Sequence, residues 1–360
     1  AKYVLDATEL GDLLPLAEVE SVSGAESKAE TQEPHALDGP AEPENVQGLT
    51  WVMALGFDQG GNHTIEKPAQ YDRWRSFKPD FWPDRLLSFK MLHVQQGHAI
   101  DFPLFGNGSF NLFEYRQIVD PQIYRNPIEA ATIANWPQND FYDDGNIIDK
   151  PPEVITRKLE EARQLSLSLL YWLQTEAPRH DGGTGYPELR LRPDLVGTED
   201  GLAQAPYIRE SRRIKARFTV LEQHVSTDCN PGRDRAVEFP DSVGVGAYRI
   251  DLHPSTNGVN TIDTSTLPFQ IPLGSLIHVR MRNLLPAAKN LGVTHITNGC
   301  YRLHPIEWNI GESAGLLAGY CIQNGVLPVQ VHESPEHTRK LQELCVRQWI
   351  EIEWPNLGPL

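Results

Sequence analysis

Proline and glycine limit regular structure in this chain more than any other feature. Of its 360 residues 28 are proline and 28 glycine, and they punctuate most of its length. A proline inside a helix removes a hydrogen bond and clashes with the preceding turn, and an interior glycine costs about 1 kcal/mol relative to alanine. Three windows still read as helices. The clearest runs from Glu153 to about Ala177, opened by Pro151-Pro152 and closed by Pro178, with Val154, Leu159, Ala162, Leu165, Leu169 and Leu173 on one face. A second spans about Ile306 to Gln323 and stops near Gly325. The third begins at Ser334-Pro335-Glu336, with serine as the cap and proline at the first helical position, and continues to about Trp349. Elsewhere short strands and ordered loops are expected, including the aromatic-rich stretch Leu49–Asp149, which contains Trp74, Phe110 and Trp136. Tyr3-Val4-Leu5 reads as a strand that runs into a small polar turn, Asp6 to Asp12, and strand-like segments recur near 216–221, 243–250 and 276–279. The acidic stretch Glu26–Gly48 predicts a surface loop. Arg179–Pro206, rich in Gly, Pro and Asp, predicts a long ordered loop of the kind that usually carries function.

Charge and composition exclude several classes. Lys and Arg number 32 against 48 Asp and Glu, a formal charge of -16, which argues against nucleic-acid binding. No apolar run approaches the ~20 residues that span a bilayer, so a soluble protein without a membrane partner is expected, its compartment unspecified. Cys229, Cys300, Cys321 and Cys345 are widely spaced without a C-x-x-C, which speaks against zinc ribbons, dithiols and iron–sulfur ligation and for free, mostly buried thiols.

Several residues are candidates for chemistry. Gly311, Gly315 and Gly319 recur every fourth residue in the second helix window. Close packing on a neighbour accounts for Gly315 and Gly319, whereas Gly311, read as lying near the helix start, lets backbone N–H groups of Gly311-Glu312-Ser313 approach a ligand. Arg209, Arg212 and Arg213 lie in Tyr207-Ile208-Arg209-Glu210-Ser211-Arg212-Arg213, either as a solvated face or as a bidentate clamp for a carboxylate or phosphate. His253, His295 and His304 admit two readings, general base or metal ligand. His304 and Glu307 are close, but no further ligand can be named and no H-E-x-x-H occurs, so no metal is expected. Asp140, Asp143 and Asp144, near Trp136 and Tyr142, are the material for a carbohydrate-active hydrolase with sugar-stacking aromatics. Asn62-His63-Thr64 and Asn107-Gly108-Ser109 match the glycosylation sequon and decide nothing.

Taken in order, a set of segments resembles the FAD-dependent oxidoreductases of the glutathione-reductase-like flavoprotein superfamily. They are Tyr3 to Asp12, Asn135 to Asp140, Gly197 to Gly201, Pro206 to Ile214, Ile250 to His253, and Gly311 to Gly315, nearly the whole chain. The resemblance implies an α/β fold: an incomplete Rossmann-like FAD-binding domain, residues 1–20 and 269–360, with an inserted α+β substrate domain, 21–268. It implies FAD as cofactor and hydride transfer with a small-molecule substrate. Ala7, Thr8, Gly11 and Asp12 would form a turn against the cofactor, although Glu9 stands where the family's Ala-Thr-Gly-like turn has glycine. Gly311, Glu312, Ser313, Ala314 and Gly315 would open the helix facing the flavin, with Lys289 and Asn290 just before it. Arg209 would act in catalysis, Arg212, Arg213 and Asn139 would hold substrate, and His253 or His304 would be the base. The G-x-G-x-x-G that the family places first is absent, and Ala1 opens on what reads as strand. A truncated chain is therefore expected, completed by a missing N-terminal segment or by a partner chain. A non-catalytic subunit completing a flavin site is the alternative.

Overall fold

The computed structural model describes residues 1–93, 98–106, 111–258 and 261–355. The sequon at Asn107 and Phe110 lie outside the described residues. Two compact units emerge: the first comprises Ala1–Val46, Arg209–Leu252 and Thr261–Leu360, the second Gln47–Ile208 and His253–Asn260.

In the first unit the opening strand Val4–Asp6 pairs in parallel with Leu284–Pro286, Val4 opposite Leu284 and Asp6 opposite Pro286. The other strand pairings of this unit are antiparallel: Ser21–Val22 with Arg213–Ile214, Ser242–Gly246 with Phe269–Pro272, and Ile250–Leu252 with Ile262–Thr264. The core gathers Leu252, Phe269, Ile271, Leu285, Ile310 and Leu317, and Phe269 stacks on Tyr301 at 4.6 Å. Burying a leucine or phenylalanine of this kind contributes about 1.5–3 kcal/mol.

The second helix window becomes His304–Asn324, ended by Gly325 at φ 66°, the left-handed conformation that closes many helices. Ile306, Ile310, Ala314, Leu317 and Cys321 turn inward at helical spacing. The third becomes Pro335–Arg347, with Ser334 Oγ accepting from the His337 N–H. A short helix, His295–Tyr301, precedes them; its glycine and β-branched residues hide it from a propensity reading, and Thr294 caps it by accepting from the Thr297 N–H.

The second unit centres on an antiparallel sheet in the order Leu189–Leu191, Met53–Phe57, Ala131–Ala134, Gln117–Val119. The 24-residue helix Pro152–Thr175 buries Leu165, Leu169, Trp172 and Leu173. A two-residue pair, Leu49–Thr50 against Asp140–Phe141, sets Thr50 directly opposite Asp140.

Mixed helix and strand content agrees with an α/β chain, and the parallel ladder among the described strands is two-stranded. The units divide the chain differently from the expected 21–268 insertion. Residues 21–46 and 209–252 belong to the first unit, because Ser21–Val22 is hydrogen-bonded to Arg213–Ile214. The surface loop expected over Glu26–Gly48 is also corrected: it holds the capped helix Lys28–Thr31, and Glu33, Asn45, Val46 and Gln47 are buried. Near 216–221 the chain makes isolated bridges only, Ala216 with His278 and Val220 with Val293, and Leu273–Leu276 is a 3-10 turn. Cys300, Cys321 and Cys345 are buried free thiols, and Cys229 is half-buried. Among the described residues no helix is long and apolar enough to cross a membrane.

Candidate functional site

Parallel strands place ligands beyond their carboxyl ends, where adjacent connections part. In the first unit those ends are Asp6 and Pro286. Asp6 is fully buried; its Oδ1 accepts from the Thr8 N–H at 3.0 Å and the Thr8 hydroxyl at 2.6 Å, and Thr8 Oγ1 accepts from the Asp12 N–H at 2.6 Å. This local turn is what Asp-x-Thr after a strand builds, because a short side chain can bond the backbone two residues on. Asp6 Oδ2 is buried and, among the described residues, has no hydrogen-bond partner. Gly11 closes the turn at φ 65°, where a Cβ would stand 3.0 Å from the Arg212 carbonyl oxygen; glycine is required both by the conformation and by this approach.

The strand end is tied to three other segments. Asn290 Nδ2 donates to the Asp6 carbonyl at 3.1 Å, and the Ile214 N–H to the Asn290 carbonyl at 3.0 Å. Arg212 donates to the Leu10 carbonyl through its backbone N–H and through Nη1, which also lies 3.4 Å from Asp12. Lys289, nearly buried, holds Glu9 at 2.6 Å and lies 3.6 Å from Glu307. The turn predicted at Ala7, Thr8, Gly11 and Asp12 therefore lies beside Arg212, Lys289 and Asn290. Its cations are engaged by Glu9, Glu307, Asp12 and the Leu10 carbonyl, so the mouth presents oxygen acceptors.

Other predicted residues have different surroundings. Arg213 is fully buried, donating to Glu26 at 2.8 Å, Glu210 at 3.2 Å and the carbonyls of Gly24 and Val293. Burial opposes its charge, but Glu26 and Glu210 more than offset that and keep its pKa above the ordinary value. It is a core ion pair and not a substrate clamp. Arg209 is buried too, and its carbonyl accepts from Asn298. Asn139 is corrected likewise: its amide donates to Ala134 and Ser166 at 3.2 Å, and its Oδ1 accepts from the Trp136 N–H, all within the second unit's core.

The glycine helix reverses two expectations. It starts at His304, so Gly311 is two turns inside, where N–H groups are committed to the helix. Gly311 is the closely packed glycine, since a Cβ would stand 3.2 Å from the Ala287 carbonyl oxygen. Gly315 and Gly319 have nothing within 4 Å. Ser313 donates to the Val243 carbonyl at 2.6 Å, Ala314 is in the core, and Glu312 is exposed. Neither Ser313 nor Ala314 can open onto a cofactor from there. His304 is exposed at the helix start.

Two constellations escaped the sequence reading. His295 Nδ1 lies 2.7 Å from Glu210, whose other oxygen meets Arg213, and the His295 N–H donates to Glu26 at 2.8 Å. In the second unit His253 Nδ1 lies 2.5 Å from Asp140 Oδ2, and the Thr50 hydroxyl donates to Asp140 Oδ1. No spacing rule joins residues so far apart in sequence; only the polar character of each was visible. Tyr142, next to Asp140 in sequence, has its phenol pushed above the ordinary range, first by burial and then by the charges of Asp140 and Asp143. The carboxylates proposed for glycoside chemistry are engaged: Asp143 with Arg73, Asp144 with Lys158 and Arg157.

A protein-family model described as FAD dependent oxidoreductase matches residues 1–344. No curated protein and no solved structure matches the chain.

Proposed function

This chain belongs to the FAD dependent oxidoreductase family, and from that premise we propose that it carries part of the FAD site of an enzyme that transfers a hydride between a small organic substrate and the flavin. The observation that carries this reading is the buried Asp6 Oδ2, without a hydrogen-bond partner among the described residues, at the carboxyl end of a parallel strand and held still by Thr8. A fixed carboxylate oxygen fits a hydroxyl donor, and FAD has ribityl and ribose hydroxyls to offer. Asp6, Thr8 and the backbone from Ala7 to Asp12 would hold that portion, with Asn290 bracing the strand end and Arg212 the glycine turn. The pyrophosphate is not matched by this mouth, whose lysine and arginine are engaged by Glu9, Glu307 and Asp12. A glycine-rich phosphate-binding unit, from a segment preceding Ala1 or from a partner chain, would supply that part. When bound, FAD accepts two electrons. The protein's own task is then to orient the substrate and to take the proton from its C–OH or C–NH, with His253 or His304 as the base.

Flavin absorbance tests the reading. Protein expressed with whatever its gene encodes before Ala1 is expected to purify yellow, and Asp6→Asn to raise the Kd for FAD about 10–100-fold, the worth of a charge-assisted hydrogen bond. Protein that takes up no FAD in that complete form refutes it.

A further inference from the structure

A buried histidine shapes one face of the first unit. His278 is 2% exposed, and its Nδ1 accepts from the backbone N–H groups of Arg280, at 3.0 Å, and Met281, at 2.7 Å. Its Nε2 therefore carries the proton and donates to the Glu20 carbonyl at 3.1 Å. Burial holds its pKa below the ordinary value, so the ring stays neutral and keeps this arrangement. The turn it fixes presents Arg280 and Arg282. Ala216 bridges to His278, and the Arg217 N–H donates to the Ile277 carbonyl at 2.8 Å, which brings a third arginine alongside.

The three arginines and the chain at Leu327–Gln330 line a cleft of about 480 Å³, the size of a small-molecule site. Its accessible apolar lining is Val279, Met281, Leu327 and Val329, completed by the buried Ile277 and Leu285. All of these residues belong to the first unit. None of them is part of the Asp6 mouth, so the cleft is a separate site and does not depend on flavin.

Charge selects the ligand. Arg217 holds Glu333 at 2.8 Å and Arg280 holds Glu20 at 2.7 Å. Arg282 is exposed and, among the described residues, makes no ion pair and no side-chain hydrogen bond. One guanidinium of the three is thus uncompensated, in a chain whose formal charge is -16. A free guanidinium fork matches the two oxygens of a carboxylate, and a single surplus positive charge suits a monoanion better than a phosphate dianion. We propose that this cleft binds a small organic carboxylate with an apolar tail, the carboxylate on Arg282 and the tail along Met281, Leu327 and Val329.

Octanoate is the probe, with acetate for its head alone and octanol for its tail alone. In titration calorimetry octanoate is expected to bind at one site, and acetate and octanol at least about 10-fold more weakly, since neither can use both parts. Arg282→Gln should raise the Kd for octanoate about 10–100-fold, and Arg282→Lys by less, because it keeps the charge and loses the fork. Arg125→Gln, at an exposed arginine of the second unit, should leave that Kd unchanged. Carbon-13 methyl spectra of labelled methionine locate the ligand without any charge variant. The chain has three methionines, of which Met281 lines the cleft while Met53 and Met91 belong to the second unit. Octanoate should shift the Met281 signal, identified by its loss in Met281→Leu, and leave the other two in place. Octanoate affinity within about twofold of wild type in Arg282→Gln overturns the site, as do shifts at Met53 or Met91 without one at Met281. Octanol bound as tightly as octanoate, or octyl phosphate bound more than about 10-fold tighter, overturns the carboxylate assignment. Octanoate that shows no saturable binding overturns the proposal outright.

Discussion

Glu33 lies wholly inside the first unit, and burial lifts its pKa to about 7 against the pull of the Thr294 hydroxyl and the Glu222 N–H on its Oε1. The nearby charge of Glu26 adds to the rise. Because the folded value exceeds the unfolded one, the folded chain keeps this proton while the unfolded chain loses it. Stability therefore falls as pH rises from the ordinary glutamate range to about 7, by on the order of 3 kcal/mol. Glu33→Gln keeps the Oε1 acceptor and removes the ionisation. Urea unfolding at acid and at mildly alkaline pH should show the variant close to wild type in acid and more stable than it in alkali. Parallel curves for the two proteins would mean that Glu33 ionises freely in the folded chain. A residue-level reading of the sequence saw only an acidic loop here, since nothing in Glu33-Pro34 reveals that a distant threonine and a helix N-terminus converge on that carboxyl group.

Among the elements, the helix His304–Asn324 separates what periodicity can tell from what it cannot. A glycine every fourth residue places three of them on one side of the helix, and that was legible. Which of the three is packed depends on the element opposite, and only the structure identifies it as the chain at Ala287, against Gly311. Gly315 is exposed with open space at its Cβ position, as is the space beside Gly319, and Trp308 and Ile322 are exposed on the same helix. Gly315→Ala should then return most of the helix propensity, about 1 kcal/mol, and raise the melting temperature of this chain by a few degrees. Gly311→Ala, with its Cβ tight against a carbonyl oxygen, should gain nothing or lose stability. Scanning calorimetry of the two variants checks this, and a lower melting temperature for Gly315→Ala would show that the helix face is not open. The same logic explains the other elements. Pro-bounded Pro152–Thr175 was readable because proline marks both ends and its apolar residues keep one phase. The two-residue strand Arg213–Ile214 was not, because so short a strand has no period, and with it went the membership of residues 21–46 in the first unit.

At the scale of the whole molecule, the two units carry different reporters. All four cysteines belong to the first unit, three of them buried, and burial holds the thiols of Cys321 and Cys345 up near a pKa of about 11, where they react slowly. The buried tryptophans Trp51, Trp74, Trp82, Trp136 and Trp172 all belong to the second unit, while of those in the first Trp308 and Trp349 are exposed and Trp354 is half-buried. Thiol labelling therefore follows unfolding of the first unit, and the red shift of tryptophan emission mainly that of the second, which holds five buried tryptophans against the single half-buried Trp354 of the first. Each unit has its own core, so urea is expected to yield two transitions with separate midpoints by these two probes. The proposed cofactor mouth, Asp6 with Thr8, Asn290 and Arg212, lies in the first unit alone. A ligand stabilises the unit that binds it by RT ln(1 + [L]/Kd), about 2.7 kcal/mol at a hundredfold excess over Kd. Saturating FAD should accordingly move the thiol-labelling midpoint to higher urea and leave the tryptophan midpoint nearly where it was. Asp6→Asn should reduce the FAD-dependent part of that shift. A tryptophan transition that moves with FAD while thiol labelling does not would assign the cofactor to the second unit and remove Asp6 from the site.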